Sequence, residues 1–206
     1  MTTNIRKFVS AGAFALVLAA SLTAAQAQET VRVRGTIESV DDHLLTVKSR
    51  NGDAIKVKLA DDVRLLTVNK MTIADVKPGV FVGITAMPQP DGTQKVVEVH
   101  IFPEILRGTG EGHRPWDLVP NSTMTNANIE TAVTGVDGQE LVLKYKDGEK
   151  KFIMPADVVV VMFAPATLAD VKPGEKIFVV AGKKQVDGTI EAPSLVVGHN
   201  GINPPM

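Results

Sequence analysis

The chain has 206 residues, 22 lysines and arginines against 23 aspartates and glutamates, four histidines and no cysteine. The missing cysteines exclude a disulfide framework, a thiolate metal site, a lipid-modified N-terminal cysteine and thiol catalysis. The charge balance lacks the basic surplus with which proteins neutralise phosphate backbones, so nucleic acid is not an expected partner.

Residues 1–27 read as a secretory signal peptide. Arg6 and Lys7 precede an apolar run from Phe8 to Leu22, and Ala25-Gln26-Ala27 supplies the small-residue cleavage pattern. The run is shorter than the ~20 apolar residues of a retained anchor. An exported, periplasmic protein beginning at Gln28 and free of a membrane anchor is therefore expected. Its 206 − 27 = 179 residues suffice for one ordinary domain or two small ones.

Next comes strand patterning. Val31, Val33, Gly35 and Ile37 alternate with Arg32, Arg34, Thr36 and Glu38, the period of a half-buried strand. The alternation continues through Leu45 and Val47, then Ile55, Val57 and Leu59, with Asn51-Gly52 marking a tight hairpin between the runs. Thr72 to Asp75 has capping-box spacing, and Pro78-Gly79 stops the helix it starts within about one turn. Two further strands, 80–87 and 94–101, flank the turn Pro90-Asp91-Gly92.

The chain then repeats itself. Thr72-Ile-Ala-Asp-Val-Lys-Pro-Gly79 returns as Thr167-Leu-Ala-Asp-Val-Lys-Pro-Gly174, at an offset of 167 − 72 = 95. Val40-Asp41-Asp42 matches Val136-Asp137-Gly138, Asp62-Val63 matches Asp157-Val158, and Asp91-Gly92-Thr93 matches Asp187-Gly188-Thr189. Strands near 130–135, 140–146, 150–154, 176–181 and 189–197 follow, while the continuous apolar run 158–163 has no assignable period. Three strands, a short helix and two strands is the order of an OB-like barrel. The expected fold is thus all-β: two tandem five-stranded OB-like barrels, 28–102 and 129–198, each with one short helix. An irregular, Gly- and Pro-rich connector, 103–128, joins them, and 199–206 form an irregular tail.

The paired Thr-Ile/Leu-Ala-Asp-Val-Lys-Pro-Gly segments and Asp-Gly-Thr turns resemble the small exported β-barrel domains of bacteria whose function is unknown. That resemblance implies fold and compartment and no activity.

What the repeat does not explain is the stretch His100 to Asn128. His100 has Val196 at its repeat position, since 196 − 100 = 96, so the fold does not demand a histidine. Alternation points it away from the barrel core. His100, Glu104, Glu111, His113 and Asp117 are candidate ligands for a divalent metal, Zn or Cu being suited to imidazole, and the thioether of Met124 would favour Cu(I). Their spacing matches no compact metal motif. The plainer reading is a connector whose Glu111 and Asp117 pair with Arg107 and Arg114, while Trp116 and Leu118 dock onto the barrels. No activated nucleophile accompanies these groups. A non-enzymatic binding protein is expected, for a metal through the insert or, as the alternative, for an envelope protein through Arg107, Arg114 and Trp116.

Overall fold

The computed structural model describes residues 29–135, 138–199 and 201–204. The expected signal peptide and the Val136-Asp137 part of the repeat lie outside the described residues. The chain is all-β. Its strands are β1 (Thr30–Asp41), β2 (Leu44–Ser49), β3 (Ala54–Lys70), β4 (Phe81–Pro88), β5 (Gln94–Ile101), β6 (Gly112–Pro115), β7 (Thr123–Gly135), β8 (Gly138–Tyr145), β9 (Gly148–Pro155), β10 (Val159–Pro165), β11 (Lys176–Lys184) and β12 (Ile190–Val197). The two expected helices are three-residue 3₁₀ turns, Ile73–Asp75 and Leu168–Asp170, each with the capping box its sequence announced. The Pro-Gly that follows leaves no room for an α-helix, and Gly79 and Gly174 take matching φ values of 84° and 90°.

One hydrogen-bonded path runs β12-β11-β1-β2-β3-β10-β5-β4-β7-β8-β9. Pairing of β12 with β3 closes β12, β11, β1, β2 and β3 into a five-stranded barrel, and pairing of β5 with β9 closes β5, β4, β7, β8 and β9 into a second ring. Each ring surrounds its own apolar core. One holds Ile37, Leu45, Val47, Val57, Leu59, Val179 and Leu195; the other holds Ile84, Val99, Ile129, Leu141, Leu143, Phe152 and Met154.

Neither core comes from one copy of the repeat, which corrects the sequential division at 28–102 and 129–198. The first three strands of copy one close with the last two of copy two, and the reverse holds in the other ring. The reason lies in β3. At 17 residues it is too long to stay in one ring. Its first part pairs with β2 while its end pairs with β10, carrying the chain across to the other core. Its counterpart in copy two is broken at Ala156-Asp157 into β9 and β10. The stretch 158–163 that had no period is mostly β10.

The exchange is symmetric to the residue. Ile190, Ser194 and Val196 of β12 lie beside Val57, Arg64 and Leu66 of β3. At the repeat offsets, Gln94, Glu98 and His100 of β5 lie beside Phe152, Val159 and Val161. Val68 pairs with Phe163, its own counterpart, so a local twofold axis passes between them. A third apolar cluster fills this junction. Val68, Val161, Phe163, Phe178 and Val196 form it, and the insert contributes Trp116 and Met124, with Leu118 against its edge.

Candidate functional site

The insert begins on β5, where a bulge opposite Thr85 and Ala86 shifts the strand's phase. Val96, Val99 and Ile101 face the core, and Val97 does not join them. Glu98 and His100 fall on the other face, as alternation requires. Although it points away from the barrel core, His100 is 0 % exposed. Phe102 and Phe163 close over that face, with ring centroids 5.0 and 5.2 Å from the imidazole. Phe163 arrives on β10, which pairs with β5 through Val161 and His100. The imidazole fills the space left by Gly83, its neighbour on β4. At the same two repeat positions the other ring pairs Phe178 with Val196, so bulk has moved from one strand to the other. Thr85 Oγ1 donates to Glu98 Oε1 at 2.6 Å, while His100 Nδ1 stands 3.6 Å from that oxygen, beyond hydrogen-bond length.

The expected metal ligands do not converge. Register places Val99, Ile84, Thr125 and His113 in one row across β5, β4, β7 and β6, and His100, Gly83, Asn126 and Gly112 in the next. Adjacent rows face opposite sides of a sheet, so the two histidines are separated by its thickness. His113 Nδ1 is 2.7 Å from Thr125 Oγ1, and its ring lies along Tyr145. Glu104 is held by Arg107 at 2.7 Å, and Glu111 Oε1 accepts from the Lys146 amide at 3.0 Å. Among the described residues no group of three His, Cys, Asp or Glu side chains is placed to hold a metal.

Burial, with the charges of Lys150 and Arg114, holds His113 below its ordinary value of 6.5. A histidine depressed in the folded state binds its proton more readily when unfolded, so its stabilising contribution is complete above pH ~6.5 and is lost as the pH falls toward the folded value. The melting temperature should drop between pH 7 and 5, and less steeply in His113→Gln. Equal slopes in the two proteins would remove His113 from the acid response.

The expected ion pairs also fall differently. Asp117 takes Arg34 at 2.8 Å and Arg32 at 3.4 Å, both from β1, in place of Arg107 or Arg114. Arg107 binds Glu104, Asn128 and the Gly79 carbonyl, tying the insert to β7 and to the turn before β4. Arg114 donates to the Gly110 carbonyl at 2.8 Å. Trp116 does dock, at 9 % exposure, edge-on to Phe178 with 6.5 Å between centroids. The loop after it folds back so that the Trp116 amide reaches the Ser122 carbonyl, with Asn121 at φ 61° making the reversal.

Around the indole stand three guanidiniums. Arg32 lies 4.0 Å from the ring centroid, Arg114 5.4 Å and Arg34 6.0 Å, and Arg34 also covers Phe178 at 4.3 Å. Arg50 lies just past the end of β2, its amide bonded to the Arg34 carbonyl. Burial and the charge of Arg34 lower the pKa of Arg50, against the pull of Asp117. Burial and Arg32 do the same to Arg114. Burial raises the Asp117 carboxyl, but the arginines outweigh it and hold it below the usual range. The result is four cations gathered about Trp116 and Asp117, on a chain of net charge −1. Arg32 and Arg34 were legible only as the polar half of a strand pattern; what signals a site is the meeting of Arg34 with Asp117 of the insert, 83 residues away, which alternation does not report. Comparison with family models, curated proteins and solved structures finds no match to this chain.

Proposed function

We propose that the protein is an exported, non-enzymatic binding module whose arginine surface, seated on Trp116, recognises an acidic protein segment in the cell envelope. In this reading the two rings are OB-like barrels that arose by duplication with exchanged halves, related to the exported bacterial domains its motifs resemble. The carrying observation is that Trp116 gathers guanidiniums from two strands distant in sequence, Arg32 and Arg34 of β1 and Arg114 of β6, with Asp117 paired to the first two. Arginine stacked on an aromatic ring loses little freedom when it meets a carboxylate, which is why arginine and tryptophan dominate interface energetics. Trp116 serves as the platform and the arginines as the contact.

A labelled oligoglutamate peptide should bind the mature protein saturably at low salt. The Arg32→Glu/Arg114→Glu variant should bind at least about tenfold more weakly, as reversal of paired interface charges does. Circular dichroism would verify its fold. Equal binding by the variant would refute the reading. The metal alternative would return if Zn(II) or Cu(II) bound saturably to the chelator-treated protein and His113→Ala abolished it.

A further inference from the structure

Beside the Trp116 surface lies a second cleft, of about 190 Å³, that Asp117 does not line. Its lining includes Arg34, Lys48, Arg50 and Lys176, together with Thr36 and Asn203 of the tail. No carboxylate lines it. The register explains the convergence. Thr36 of β1 pairs with Lys48 of β2 on one side and Lys176 of β11 on the other, so two ammonium groups flank one hydroxyl in a single row. The next row on the same face carries Arg34, with Arg50 beside it. Like charges gathered on one face of a sheet repel, and nothing in the barrel's core requires them there. The inward positions of these strands, Val33, Ile37, Val47 and Ile177, account for the packing.

We infer that this cleft is a binding site for a dianionic tetrahedral oxyanion, a phosphate group either free or carried as a monoester. The volume falls below the ~300–1,000 Å³ typical of pockets for drug-sized molecules, which suits one phosphate-sized group. Arg50 presents a planar donor that matches two oxygens of such a group, while Arg34, bonded to Asp117 at 2.8 Å, only lines the wall. Lys48 and Lys176 add point charges, and the Thr36 hydroxyl and Asn203 amide donate without charge. Acetate carries one charge against Lys48, Arg50 and Lys176, so the dianion is preferred over it. The Trp116 surface and its acidic partner are not needed for this site.

The test is calorimetric titration of the mature protein at low ionic strength with inorganic phosphate, glycerol 3-phosphate and acetate, together with amide shifts at Thr36, Ser49 and Lys176. Saturable binding of inorganic phosphate or of the ester is expected, weakening as salt rises. The shifts should centre on those three residues, and whichever phosphate binds more tightly shows whether the site prefers the free ion or the ester. Lys48→Gln/Lys176→Gln should weaken that binding at least about tenfold, two charge-assisted contacts being lost. These exposed residues can be changed without touching a core, and removing their repulsion should raise the melting temperature in phosphate-free buffer, an effect that a merely structural role for the two lysines does not produce. No saturable binding of either phosphate below about 10 mM, an affinity of only ~3 kcal/mol, would overturn the inference. So would acetate binding as tightly, or a double variant that binds like the wild type. If phosphate binds and oligoglutamate does not, the partner reading fails alone.

Discussion

Gly83→Ala is expected to destabilise the protein by about 3 kcal/mol or more, toward the upper end of the range for overpacked cores. A methyl carbon at Gly83 would lie 1.8 Å from His100 Nε2 and 2.3 Å from its Cε1. The imidazole has nowhere to go, because Phe102 and Phe163 close over it and Glu98 lies beside it. In a domain of this size such a loss corresponds to a fall of roughly 10 °C in melting temperature. His100→Ala alone should cost about 2–3 kcal/mol through the cavity it opens. The double variant Gly83→Ala/His100→Ala is the discriminating protein, since the alanine at 83 then occupies space the ring has vacated. Its loss should fall short of the sum of the single losses by about 1 kcal/mol or more, the coupling expected of residues in contact. Urea unfolding of the four proteins checks this, and additive losses would show that the two residues do not share one volume.

The same pair shows where sequence reading succeeds and where it stops. Alternation identified β1, β2 and most of β5, because each keeps one face on a core and side chains in a strand have period two. Asn51-Gly52, the capping boxes and the Asp-Gly turns were equally plain, being local chemistry that needs no partner to be recognised. The repeat established which residues the fold demands. It could not say which copy completes which ring, because identical halves pair equally well within a copy or between copies; the outcome rests on β3 continuing unbroken through Ala60-Asp61-Asp62, where no alternation marks a strand. Alternation aimed His100 away from the core but could not show its burial, since half of its lid, Phe163, arrives on β10 from the other copy. The bulge at Val97 escaped for a similar reason, as a one-residue shift of phase becomes visible only against β4. Net charge misled in one respect. A total of −1 conceals cations gathered on one face, because composition carries no positions.

Cutting the chain between Gly108 and Gly112 should leave its two parts associated. The segment joins β5 to β6 across the exposed side of the molecule, and a protease site placed there severs no strand. The N-terminal part then retains β1, β2 and β3 of one ring and β4 and β5 of the other; the C-terminal part supplies the two strands and the three strands that are missing. Neither part can close a ring alone. Each would expose open strand edges and half of two apolar cores, a state prone to aggregation. The cleaved protein should therefore elute from gel filtration as one species of unchanged size and should separate only in denaturant. Expressed singly, each part should be largely insoluble, and co-expression should restore the complex. Two sequential barrels would behave in the opposite way, since cleavage of a connector between independent cores releases two folded monomers. Melting gives a second reading of the same distinction. Interleaved rings share β3, β10 and the junction around Val68 and Phe163, so Leu45→Ala in one core and Phe152→Ala in the other should each shift a single cooperative transition. Losses of about 2–5 kcal/mol are expected for buried side chains of that size. Two resolved transitions, each moved by only one of the variants, would mean that the cores fold separately despite the exchange.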